Sequence, residues 1–519
     1  MKSAILADKI YSLDKPNELF EALIIENETI LDLTSKNHVL SNKSEFQEIV
    51  EYNGTIIPGF IDSHLHAIGI GSRLEQIELK GIKSIREMLT KVEEKVSSTD
   101  EGEWVIGVGW DQELFNEKRY PTKWDLDYIS PNHPIILARA CHHIGVLNSK
   151  ALDLIKINKT TPDPEGGSID KENGDPTGIL RENAWSEAVR KVPEPTKEDQ
   201  SRWLQNAQDY LNSVGITTIH TLDSSKYDIY QSIKDTLKVR VYFTPNYEDL
   251  DELLKNNPKA KTGNGDDYFR WGRVKLYSDG SLGAQTAAMR EPYENSNSTG
   301  ILIYSKEELH KRIKDIDEKG WQLETHAIGD KGAELTINGY EKYLNREKRP
   351  ILTHCQILGD DLIQKMSDLG IIASIQPIFI ESDMNWAEKF VGKKRMKYSY
   401  AWKTLMERGV WCSGGSDAPI EKPDPILSLH ATVNRQKMDK IPEGGWYPEE
   451  RLSIWEALRL FTYYAAYAEF QEHRKGLLKP GYLADFVLLD KDPFTISPEE
   501  ILNLKVLGTF VGGKRVFSC

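Results

Sequence analysis

Eight short apolar segments recur between residues 55 and 413, each separated from the next by a longer stretch, most of it helical in pattern. That alternation restricts the chain to repeated βα units around a parallel sheet. The segments are 55–62, 215–220, 239–243, 273–277, 322–326, 350–354, 371–375 and 410–413. Eight parallel strands, each followed by a helix, predict an α/β fold of the (β/α)8 TIM-type barrel kind, with chemistry at the C-terminal strand ends. Residues 1–58 and 476–519 are expected to join into one small β-sandwich domain, because neither end carries enough strands to be stable alone. The barrel then occupies 59–475. About 150 residues separate the first two segments, far more than a βα connection needs, so roughly 75–200 reads as an inserted segment that shapes a substrate pocket.

The first segment ends Asp62-Ser63-His64-Leu65-His66. Residues two apart on a strand face the same side, so His64 and His66 point together. Two imidazoles side by side are a ready pair of metal ligands, with Asp62 or a carbonyl available to orient a ring. The fifth segment closes on His326, the sixth on His354, and a turn after the eighth presents Asp417. His and Asp are not favoured core residues, so four histidines and an aspartate at strand ends predict a metal site. Lys275 stands among apolar neighbours, where an unpaired ammonium is costly. It is either a buried ion-pair residue or an amine that takes up carbon dioxide to become a carbamate able to bridge two metals. His220, ending the second segment, either lines the site or is a hydrogen-bonded structural histidine. The Gly-rich stretches 279–281 and 414–415 lack the spacing of a phosphate-binding loop.

Further segments join these: Arg139 to Ser149, Pro176 to Glu182, and Lys275 to Ala288 with its Asp279-Gly280-Ser281-Leu282-Gly283. On these residues the chain resembles, over nearly its whole length, the amidohydrolase superfamily, and within it the branch of N-substituted formamide deformylase-like proteins. The resemblance implies that His64, His66 and Asp417 hold the more buried metal, that His326 and His354 hold another, and that Lys275 bridges them. The expected cofactor is zinc, as one divalent ion or two. The expected activity is hydrolysis of a carbon–nitrogen bond in a non-peptide amide, formamide or cyclic amide by metal-activated water. Asp417 would serve as general base, with His143 and His326 polarising the substrate carbonyl. A lyase or isomerase on the same metal barrel and a non-catalytic scaffold are the alternative readings. One departure stands out: Cys141-His142-His143 occupies the place of the branch's Asp-Gly-His ahead of Asn148-Ser149, which keeps His143 and loses the acid.

A formal net charge of -14 excludes the clustered basic surface that nucleic-acid binding draws on. The four cysteines, Cys141, Cys355, Cys412 and Cys519, form no Cys-x-x-Cys pair and suit a reducing cytoplasm. Asp8 and Lys9 interrupt the first apolar run and no run of 18 apolar residues follows, so neither export nor a membrane span is expected. The expected partner is a small-molecule substrate; a homo-oligomer is left open.

Overall fold

In the computed structural model, which describes residues 2–294 and 296–519, seven of the eight segments are parallel strands where expected and the first is divided. Its leading part belongs to Glu48–Pro58, a strand of the terminal sheet, and the parallel strand begins only at Phe60. Gly59 makes the break. Its N–H donates to Asp485 O, and a Cβ there would fall 2.4 Å from the Thr217 side chain. The whole run is buried, so its hydrophobicity carries no sign of the change of sheet.

The parallel strands form two open sheets. One has the order Phe269–Trp271, Arg240–Phe243, Ile216–Thr221, Phe60–Leu65; the other runs Arg273–Tyr277, Gln322–Ala327, Ile351–His354, Ile372–Ile375, Cys412–Gly414. The expected barrel ladder is therefore not closed. At one seam Lys275 N–H donates to Pro245 O at 2.9 Å. At the other, Phe60–Leu65 meets the last strand only through Ser63 Oγ, 3.1 Å from Ser413 Oγ, and through the turn that follows. Nearly every residue of these strands is buried, as in sheets covered on both faces. The covering helices are amphipathic: Lys306–Glu318 buries Leu309, Ile313 and Ile316 along one stripe, and Ser305 caps it by accepting from Glu308 N–H.

Strands from both chain ends share one seven-stranded sheet, in the order Lys514–Ser518, Val506–Val511, Phe486–Leu489, Glu48–Pro58, Lys2–Tyr11, Leu19–Glu26, Thr29–Thr34. Its ladder is continuous, and the Thr29–Thr34 edge returns to 481–484 beside Phe486–Leu489, with Ile30 N–H donating to Tyr482 O at 2.8 Å. One face packs Ile5, Leu23, Ile56, Phe486 and Phe510 together; the other packs Leu6 and Ile24 against Val39 of the short helix Lys36–Ser41. Met1–Ile70 and Leu204–Cys519, which carry this sheet and both parallel ones, make one compact unit.

Gly71–Trp203 makes a second unit. It contains a six-stranded mixed sheet, Gly167–Glu172, Asp175–Glu182, Ile144–Leu147, Ile135–Arg139, Val105–Trp110, Ile77–Glu78. Alternate residues of Ile135–Arg139 serve opposite faces: Ile135 and Leu137 pack with Met88 and Val92, while Ile136 and Ala138 pack with Leu152 and Trp185. Among the described residues no helix is long and apolar enough to cross a membrane.

Asn148 shows why this unit carries an Asn-Ser pair. Fully buried, it accepts from the N–H groups of Ile135 and Ala151 and donates to Ser130 O and His133 O. Asn148→Ala leaves all four backbone groups without that partner. Each buried group left unsatisfied costs about 1–3 kcal/mol, so protection of the 135–147 amides against hydrogen exchange should collapse while that of 322–327 persists. Equal protection in the variant would refute a structural role for this side chain.

Candidate metal centre

The first strand and the turn after the last are held together by backbone and carboxylate bonds. Asp417 N–H donates to His64 O at 2.7 Å, and His66 N–H donates to Ala418 O at 2.8 Å. Asp62 Oδ1 accepts from the N–H groups of both His64 and Ser416. It thus ties backbone to backbone and does not touch an imidazole. Burial pushes its carboxyl up to about 6 against those bonds. Gly415 completes the contact, because a Cβ there would sit 2.7 Å from His64 N. Asp417 itself has φ 56, in the left-handed region that aspartate tolerates.

The result is a cluster of His64, His66 and Asp417 whose candidate ligand atoms all lie within 4.8 Å of one another. Asp417 Oδ1 is 3.3 Å from His66 Nε2 and 3.5 Å from His64 Nε2. Burial alone would raise the Asp417 carboxyl; the two histidines outweigh it and hold the group well below the usual carboxylate range. The rings of His326 and His354 stand 4.6 Å apart, and His354 is 5.4 Å from His64. Burial pushes His326 down to about 4 and His354 well below its ordinary value, so both are neutral imidazoles at pH 7.

Each of the four rings has one nitrogen at an oxygen. His66 Nδ1 lies 2.6 Å from Leu222 O, His354 Nδ1 2.7 Å from Gln376 Oε1, and His326 Nε2 3.0 Å from Gly280 O. These oxygens only accept, so they hold a proton on those nitrogens; the opposite nitrogen of His66 faces Asp417, which raises the His66 pKa against its burial. His64 Nδ1 lies 2.7 Å from Glu324 Oε1, at ion-pair distance though off the hydrogen-bond line. A carbonyl therefore orients His66, as the sequence allowed. Asp279 anchors the backbone beyond His326, accepting from the N–H groups of Ala288, Ile328 and Gly329. Its burial raises that carboxyl to about 7.

Lys275 pairs in the ladder with Glu324, and its Nζ donates to Glu324 Oε1 at 2.9 Å. Burial lowers its ammonium pKa despite that partner. Arg273 binds the other carboxylate oxygen, and Thr353 Oγ1 donates to Oε1 at 2.8 Å. Glu324, Asp279 and Gln376 are site residues that sequence reasoning missed. Only Glu324 left a signal, standing two residues before His326 and hence on its face.

Two expected residues sit elsewhere. His220 is fully buried between Arg273, whose Nη2 lies 3.1 Å from Nδ1, and Glu469, whose Oε1 lies 3.3 Å from Nε2; it is the structural histidine of the two readings. His143 belongs to the 71–203 unit, where it is exposed and its Nδ1 lies 3.1 Å from Glu182 Oε2. Its expected place among the catalytic groups therefore receives no support from its surroundings.

The amidohydrolase family profile matches residues 52–517 of this chain. The chain is similar to the putative amidohydrolase YtcJ of Bacillus subtilis (strain 168), with 33% identity over 522 residues covering 98% of each. It is also similar to N-substituted formamide deformylase of Arthrobacter pascens, at 25% identity, with 98% of this chain and 97% of that protein covered. The solved structure of an uncharacterized metal-dependent hydrolase from Pyrococcus furiosus matches with a TM-score of 0.79 at 32% identity, covering 95% of this chain and 100% of its own. With a profile matched across most of its length on top of this cluster of histidines and aspartate, the chain belongs to the amidohydrolase family.

Proposed function

We propose that this chain is a metal-dependent hydrolase that cleaves a carbon–nitrogen bond other than a peptide bond, at the mouth of a (β/α)8 barrel whose wall is the two parallel sheets. The observation that carries the reading is the set of four imidazoles, each with one nitrogen at an oxygen, with the second nitrogens of His64 and His66 converging on an ionised Asp417. Neutral imidazole nitrogens and a carboxylate are the donor set that zinc prefers. His64, His66 and Asp417 would hold one divalent ion, and His326 and His354 a second. A bound divalent metal lowers the pKa of water to about 7 and polarises a carbonyl.

The protein's own groups supply the rest. Asp417, partly exposed at the cluster, accepts a proton from the attacking water and returns it to the departing amine. His326 would polarise the reacting carbonyl. Lys275 would help hold both ions once its neutral amine had added to carbon dioxide with release of a proton. The carbamate so formed keeps one N–H for Glu324 and presents a new carboxylate.

The test is metal analysis of purified protein followed by a screen of amides, formamides and cyclic amides in ¹⁸O-labelled water. Stoichiometric divalent metal, activity that chelation removes and metal restores, and ¹⁸O in the acid product are expected. A product free of solvent oxygen would point to a lyase or isomerase. Full activity after chelation would sink the metal reading.

A further inference from the structure

Glu324 has so far been described as a partner of Lys275, yet its carboxylate also reaches three other side chains. It has no exposed surface. Oε1 lies 2.7 Å from His64 Nδ1, 2.9 Å from Lys275 Nζ and 2.8 Å from Thr353 Oγ1, and Oε2 is bound by Arg273. The nearest oxygens behind His66, His326 and His354 are a backbone carbonyl or an amide oxygen. Behind His64 the nearest is a carboxylate oxygen, at 2.7 Å.

We infer that Glu324 is the positioning residue of the metal centre: its carboxylate sets the ring of His64 so that Nδ1 keeps the proton and Nε2 is presented as the ligand. This rests on the metal reading above. The ring's far nitrogen already faces Asp417 Oδ1, 3.5 Å away. A carboxylate behind a ligating histidine fixes the tautomer and raises the ring's donor strength, and loss of such a partner typically weakens metal binding 10–100-fold. Glu324 cannot swing aside, because Arg273, Lys275 and Thr353 hold it from three other directions. No water competes for it at zero exposure.

A plain core ion pair would show the same burial, so the test separates the two. Glu324→Gln keeps the shape and removes the charge; Arg273→Met removes a partner of the same carboxylate, together with a bond to Ser63 O, without touching the His64 ring. Affinity for zinc is read by competition with a chromophoric chelator, and coordination by the visible absorption of the cobalt(II)-loaded protein. Glu324→Gln should weaken zinc binding by about 10–100-fold and change the cobalt spectrum, while Arg273→Met weakens it by less than about tenfold. Should Glu324→Gln fail to fold for want of a counter-charge, the Glu324→Gln/Arg273→Met double variant carries the same expectation. Unchanged affinity and spectrum in a folded Glu324 variant, or an equal loss in Arg273→Met, overturns the inference. Wild-type protein that takes up no metal overturns the metal reading as well, and is told apart by the wild-type titration alone.

Discussion

Asp417→Asn is expected to lower kcat/KM on an identified amide by about 10²–10⁴-fold, the span that loss of a positioned acid–base group covers. Asparagine has the same shape. It also tolerates the left-handed backbone at φ 56, so the N–H bond to His64 O and the turn around Gly415 survive. What vanishes is the negative charge that His64 and His66 share and the oxygen able to hold a proton. On the proposed metal reading, metal content should fall with the rate, since the single carboxylate of the His64, His66 and Asp417 group becomes neutral. Steady-state kinetics, metal analysis and circular dichroism of the same sample decide the matter. A folded variant with wild-type rate would remove Asp417 from the chemistry.

The second large effect concerns stability. Asp485→Ala should cost about 3–5 kcal/mol, the usual penalty for breaking a buried pair from one side. Arg240, on a parallel strand, grips Asp485, just before the terminal-sheet strand Phe486–Leu489, through two bonds of 2.7 and 2.8 Å. Both side chains are at most 5% exposed. The same carboxylate accepts from Gly512 N–H at 2.8 Å, so its loss also strands a backbone donor. Urea midpoints read the cost. Adding Arg240→Leu should recover part of it, because the guanidinium, left with Asp267 O and a carboxylate 3.9 Å away on Glu28, no longer has to be buried. A shift under about 1 kcal/mol would mean that solvent reaches Arg240 in the variant.

Most strands were legible because a parallel strand buried on both faces is a short continuous apolar run. The run 55–62 was misread for the same reason, as two strands of different sheets are equally apolar and only Gly59 divides them. The candidate ligands could be picked out because His64, His326 and His354 each stand at or beside a strand's end. His220 stands at one too, and only the fold reveals that Glu469, far along the chain, closes over it. Glu324 was hidden by register: nothing in the sequence sets it opposite Lys275 until the two strands pair. Ring tautomers were hidden likewise, since His66 finds its acceptor at Leu222, more than 150 residues on. The openness of both sheets depends on seams between distant segments, which local pattern does not encode.

The ends of the 71–203 unit lie against each other: a Cβ on Gly71 would fall 1.8 Å from Trp203 O, and Glu75 binds both Arg202 and Trp203. A stretch whose entrance and exit coincide is a cassette in the hereditary sense. It can be lengthened, exchanged or lost as one piece of gene, because its removal asks the flanking chain to bridge only a short gap. His64 and His66 fall before it, and Lys275, Glu324, His326, His354 and Asp417 after it. Descendants of one ancestor can therefore inherit the same candidate metal-site residues while trading the whole 71–203 segment.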